Sequence, residues 1–171
     1  GQAFVSGIKV LVKVSVDFHE LYGYSLTVLD IDPTYTLGDM ALRRKEILKR
    51  LDEEGVLTLN KELELPELTQ RIAVISSATA AGYGDFCNQL EHNSFGFIFY
   101  PRLFPAVMQG DRVESSIIRA LEKINAEREH WDVVVIIRGG GATSDLSGFD
   151  TYELATNCAQ FPLPIITGIG H

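Results

Sequence analysis

Cysteine is nearly absent: Cys87 and Cys158 are the only two in 171 residues. Each lies inside an apolar helical pattern, so the expected state is a free buried thiol in a reducing compartment, and neither a disulfide framework nor a cysteine metal site is expected. No apolar run approaches the roughly 20 residues that span a bilayer, so no membrane contact is expected. The first residues lack the charged and apolar layout of a signal peptide, which makes the cytoplasm the expected location. Positive charge is scarce as well, with 15 Lys and Arg against 23 Asp and Glu and a net charge of −8. Proteins that grip nucleic acid over their whole surface are usually basic, so any phosphate recognition here must be local. Two nucleotide motifs are also missing. Without a G-x-x-x-x-G-K-[ST] loop a Walker-type triphosphatase is disfavoured. The first core strand does not lead into G-x-G-x-x-G, which removes the usual dinucleotide fingerprint.

What the chain does have is a run from Asp132 to Asp145, Asp-Val-Val-Val-Ile-Ile-Arg-Gly-Gly-Gly-Ala-Thr-Ser-Asp. Five β-branched residues, Val133 to Ile137, favour a strand buried on both faces, as in a parallel sheet covered by helices. Gly139, Gly140 and Gly141 have no side chains, so backbone N–H groups there can approach an anion closely, and Arg138 can fork onto phosphate or carboxylate. Triple glycine also suits a plain flexible turn. Its place directly after a buried strand favours a site.

Three regions are expected. In residues 1–32, Lys9 to Val16 and Tyr24 to Ile31 alternate polar and apolar residues across a glycine-containing connection, the pattern of a half-buried antiparallel hairpin. Two strands make no core alone, so the open edge is expected to seek another strand, including one from a second copy of the chain. In residues 33–70, a helix from Leu37 to Glu54 carries Leu42, Ile47, Leu48 and Leu51 near one face and a basic cluster, Arg43 to Arg50, mainly on the others. Such a cluster is either an ordinary solvated face or a strand of phosphate contacts. Gly55 stops the helix, and a Leu-punctuated connection with Pro66 follows. In residues 71–171, strand and helix alternate: strand Arg71 to Ser76, helix Asp85 to Asn93, strand Phe95 to Tyr100, helix Gly110 to Glu129, the central strand, helix Asp150 to Gln160, strand Pro164 to Ile169. This order predicts an α/β fold, a doubly wound four-stranded parallel sheet of the flavodoxin or Rossmann type, preceded by the β-hairpin.

Ligands of such sheets bind at the carboxyl ends of the strands, where the winding reverses. The segments expected there are Ser76 to Asp85, Tyr100 to Arg102, Arg138 to Asp145 and Thr167 to His171, each rich in glycine, hydroxyls or titratable groups. A flavodoxin-like order would set the first and third loops on either side of one crevice. Ser76, Ser77, Thr79, Arg102 and Thr143 are candidate phosphate contacts. Asp85 either caps the helix it opens or orients a histidine. His171 is a general acid–base candidate at neutral pH. Asp145 and Asp150 suit loop and helix caps better than metal ligands.

Four motifs together, Arg71-Ile-Ala-Val-Ile-Ser-Ser-Ala-Thr, Met108-Gln-Gly-Asp, Val135-Ile-Ile-Arg-Gly-Gly-Gly and Pro164-Ile-Ile-Thr-Gly-Ile-Gly-His, resemble the exonuclease VII large-subunit family in order and spacing. The resemblance covers residues 71–171 strongly. It implies that residues 1–32 are the last strands of an OB-fold, an oligonucleotide-binding barrel. It further implies hydrolysis of single-stranded DNA from both ends into oligonucleotides, with several copies of a small helical subunit as partner and with no required metal or other cofactor. By motif, the family's functional aspartate, arginine and histidine fall on Asp85, Arg138 and His171. Two other classes stay open on the residues alone: a non-catalytic module binding DNA or a partner, and a small-molecule kinase with a glycine phosphate loop, although Gly141 stands where that kinase loop has aspartate.

Overall fold

The computed structural model describes residues 10–20, 22–139 and 146–169, without the side chains of residues 33–37. The expected hairpin is formed by β1 (Leu11–His19) and β2 (Gly23–Asp32), antiparallel, with a bulge between Lys13 and Val14. Gly23, at φ +74°, supplies the left-handed backbone that closes the turn. The pairs Val14–Val28, Val16–Leu26 and Phe18–Tyr24 put six apolar side chains on one face, and all six are exposed.

Helix α1 (Pro33–Glu53) follows β2 at once, four residues earlier than its apolar periodicity indicates. Proline opens it, because the first helical N–H has no intrahelical partner to lose. Of the apolar face read from the sequence, Leu51 is buried, whereas Leu42 and Leu48 are exposed. Gly55, at φ +70°, ends the helix, and the N–H of Val56 returns to the carbonyl of Leu51. The connection then wraps onto the core through Asn60. Its amide donates to the carbonyls of Phe161 and Leu163, and its oxygen accepts from the N–H of Ile165.

The core alternates β3 (Arg71–Ser76), α2 (Ala81–Glu91), β4 (Tyr100–Pro105), α3 (Val113–Ala126), β5 (Val133–Arg138), α4 (Tyr152–Ala159) and β6 (Ile165–Ile169). All four strands are parallel, in the order β4-β3-β5-β6. This is the doubly wound α/β sheet that the strand–helix alternation predicts, with the first core strand beside the third. The pleat sorts the core into two layers. Ala73, Ile75, Val134 and Ile136 pack under α3 and α4, against Ile117, Leu121 and Leu154. Ile72, Val74, Val133, Val135 and Ile137 pack under α2, against Tyr83, Phe86 and Leu90. Every residue of β5 is buried.

The edge strand departs from expectation. Phe95 to Phe99 match strand composition, but they form a built loop, and β4 begins only at Tyr100. Gly96 takes φ +72° there. The Asn93 amide brackets the loop, donating to the carbonyls of Leu90 and Phe97 and accepting from the N–H of Phe97. Register is set by Arg71 opposite Tyr100. The N–H groups of Tyr100 and Ala106 donate to Gln70 and Ser76 of the β3 side, so with a period of two the odd positions of β4 point outward. Pro101 and Pro105 occupy two of those positions, where no ladder bond is lost.

The amino edge of the sheet is pinned by Asp132. Its carboxylate accepts from the backbone N–H groups of Gln70 and Arg71 and from the Arg71 guanidinium. Burial pushes this carboxyl up, but the bonds from Arg71 and Gln70 outweigh it and hold the group below the ordinary aspartate range. Both cysteines are free and partly buried, and burial pushes the Cys158 thiol up to about 11, which keeps it unreactive. Among the described residues, no helix is long and apolar enough to cross a membrane.

Candidate active site at the carboxyl edge

From β3 the chain crosses to β4 on one side, then to β5 on the other, so the carboxyl ends of β3 and β5 flank the reversal of winding. Ser76, the last residue of β3, is fully buried, and its hydroxyl donates to the carbonyl of Ile137 at 2.8 Å. That bond ties the two central strands where the crevice begins. It also commits the Ser76 hydroxyl to the protein, so the sequence expectation of a phosphate contact there gives way to a strut. Ser77 and Thr79 follow at the mouth, with their hydroxyl oxygens 3.1 Å apart.

Helix α2 opens at Ala81, four residues before the expected start, and no side chain caps its N-terminus. The first N–H groups of a helix have no intrahelical acceptor, and an uncapped start directs them and the positive end of the helix dipole outward. Gly82 brings this terminus onto the glycine-rich loop. A Cβ at residue 82 would lie 3.3 Å from Cγ2 of Ile137 and 3.4 Å from Cα of Gly139, closer than ordinary side-chain contact. The first and third loops therefore meet across the crevice, as the strand order requires.

Arg138 ends β5 and is 4% exposed. Asp85 sits in the second turn of α2 and is exposed, so it does not cap that helix. Asp150 is not a cap either. Thr151 caps α4, its hydroxyl accepting from the N–H of Leu154, while Asp150 forms an ion pair with Arg44 at 2.8 Å. Gly140, Gly141, Thr143, Asp145 and His171 lie outside the described residues.

Arg102 belongs elsewhere. Because β4 begins five residues later than its composition indicates, Arg102 pairs with Ala73 within the sheet. Its guanidinium bonds Glu127 beyond the end of α3 and lies over the Phe104 and Trp131 rings, at 5.2 and 5.8 Å. The segment that does leave β4 at the carboxyl edge is Ala106 to Arg112, which contains the Met108-Gln-Gly-Asp motif. Gly110 takes φ +77°, and a Cβ on Gly148 would meet its carbonyl oxygen at 2.9 Å and Val113 at 3.0 Å. The outgoing arm of the glycine-rich loop thus rests on this turn, and Gln109 and Asp111 belong to a third wall. The motif itself was the signal for that wall; the early placement of β4 hid its position.

An uncapped helix start packed against the Gly139 backbone, which carries no side chain, is an arrangement suited to a phosphate group. Among the described residues, no three His, Cys, Asp or Glu side chains gather closely enough to hold a metal ion.

Residues 56–171 match the family model described as "Exonuclease VII, large subunit". The exodeoxyribonuclease 7 large subunit of Deinococcus radiodurans is 38% identical over 173 residues, covering 100% of this chain and 42% of that protein. Its counterpart in a Nostoc species is 33% identical over 172 residues, covering 98% and 40%, and that of Clostridium botulinum is 30% identical over 170 residues, covering 99% and 41%. The chain spans about two fifths of the length of these relatives. By the extent of the family match and the identity to these relatives, the chain belongs to the exonuclease VII large-subunit family.

Proposed function

We propose that this chain forms the phosphate-handling core of an exodeoxyribonuclease that hydrolyses single-stranded DNA into oligonucleotides, working from both ends and without a required metal. The observation that carries the reading is the contact between the uncapped start of α2 and Gly139, beside buried Arg138, in a chain of this family. Arg138 and the backbone amides of Gly139 to Gly141 stabilise charge on the phosphate as preorganised donors. Ser77 and Thr79 hold its non-bridging oxygens. Water attacks phosphorus, the bond to the leaving oxygen breaks, and His171 moves the proton, either from the water or to the leaving oxygen. Asp85 positions that histidine. Thr143 belongs to the same phosphate set, whereas the sites of Ser76 and Arg102 favour structural roles.

The hairpin supplies part of an OB-fold that holds the strand, and the small subunit completes a cytoplasmic complex. The exposed apolar face of the hairpin supports its role as one wall of such a barrel. In the full-length protein with its small subunit, His171→Ala should lower cleavage of end-labelled single-stranded DNA by about 10²- to 10⁴-fold, and excess EDTA should leave the unaltered enzyme active. Near-normal cleavage by the variant would remove His171 from the mechanism, and loss of activity in EDTA would redirect the search to metal-binding carboxylates.

A further inference from the structure

The outgoing arm of the glycine-rich loop, residues 146–151, is held from three sides. Gly148 lies against Gly110 and Val113 with no room for a side chain. Thr151 turns inward to cap α4. The third hold comes from far away in sequence: Arg44 of α1 reaches Asp150 across 106 positions. A second contact lies beside it, where the Arg50 guanidinium sits 3.5 Å over the Tyr152 ring and the Tyr152 hydroxyl donates to Glu54 at 2.6 Å. Two side chains of the helix that carries the hairpin therefore grip the stretch leading out of the phosphate loop. Elsewhere in the basic cluster, Lys49 is spent on Glu53 within its own helix. An ion pair as open as Arg44–Asp150, with Arg44 59% exposed, adds little to stability. Its geometric effect is larger, because it fixes Asp150, the residue before the Thr151 cap of α4, to a separate element.

We infer that Arg44 is a positioning residue: its ion pair with Asp150 holds residues 146–151, the arm that leads out of the phosphate loop, in place on the core and couples that arm to the hairpin-bearing helix. The functional part of this inference rests on the nuclease reading above; the mechanical part does not. A loop displaced by an ångström misplaces its donors relative to the phosphate, which costs rate more than affinity.

The test uses the full-length protein with its small subunit, carrying Arg44→Ala, Arg44→Asp, or the exchanged pair Arg44→Asp with Asp150→Arg, and Lys49→Ala as control. Hydrogen exchange of amides 146–151 should accelerate about two- to fivefold in both single variants, with β5 unchanged, and return towards the original rate in the exchanged pair. On a single-stranded oligonucleotide, kcat should fall about tenfold in the single variants with KM within about twofold, recover in the exchanged pair, and stay unchanged in Lys49→Ala. Unaltered exchange at 146–151 overturns the inference. So does a rise in KM at constant kcat, which would make Arg44 a direct phosphate contact. If the unaltered complex cleaves no single-stranded DNA, the nuclease reading fails, and the exchange comparison still decides the clasp.

Discussion

Val16 of the hairpin and Val134 of the central strand are the same residue in the same kind of element, yet one is 59% exposed and the other fully buried. The contrast extends to the whole of each element. The hairpin's Val14, Phe18, Tyr24 and Leu26 line an open face, whereas β5 is covered by α2 on one side and by α3 and α4 on the other. Alternation and β-propensity are enough to make a strand, but only a second layer turns a strand into a core. Asp132, Ser76 and Gly82 then lock the covered sheet at its two ends.

The sharpest way to break this comparison is to place one charge in both regions. Val134→Asp buries an unpaired carboxylate, a cost of several kcal/mol, and should abolish the cooperative thermal transition of the core followed by circular dichroism. Val16→Asp should change stability by no more than about 0.5 kcal/mol and reduce light scattering at high concentration. A hairpin face that resists the charge as β5 does would mean that it is already covered.

Gly82→Val tests the lock at the carboxyl edge. The added side chain has Ile137 and Gly139 in its way, and overpacking of this kind costs about 1–3 kcal/mol. Cleavage should fall further than that loss of stability explains, because α2 must back away from the glycine-rich loop. A crystal structure of the variant with α2 unmoved would refute the close-approach argument.

Asp132→Asn tests the amino edge and should cost about 1–2 kcal/mol, since charge-assisted bonds become neutral ones. The pH dependence has a definite sign. A carboxyl held below its ordinary value in the folded state contributes stability that is fully present above the unfolded pKa and is lost as pH falls through the lower folded value. Melting temperature in the unaltered protein should therefore drop through the acid range more steeply than in Asp132→Asn. Parallel curves for the two proteins would show that Asp132 does not hold the sheet edge as a carboxylate.

Much of the fold is legible in the sequence because its signals are local. Val133 to Ile137 reads as a doubly buried strand, Lys9 to Ile31 as a hairpin, and the alternation of elements as a parallel sheet. The errors also have local causes. Phe95 to Tyr100 has the composition of a strand, but Asn93 and Gly96 fold it into a loop, and a proline-bearing segment takes the edge position instead. That one shift carried Arg102 away from the site and concealed the wall formed by Gln109 and Asp111. Asp85 looks like a cap because acidic residues often stand at helix starts; the turn at Ser77 to Ala80 lets α2 begin earlier. The Arg44–Asp150 pair had no sequence signature at all. Ionic partners 106 positions apart meet only once the connection has wrapped around the core.

The two prolines of β4 govern how the sheet meets other molecules. A foreign strand approaching that edge would look for outward amide hydrogens at positions 101, 103 and 105, and would find only that of Leu103. Growth of the sheet by polymerisation at β4 is therefore blocked by covalent chemistry rather than by charge. The two margins of the sheet therefore differ: β4 is closed by its prolines, and β6 begins under the Asn60 side chain, which takes the outward N–H of Ile165.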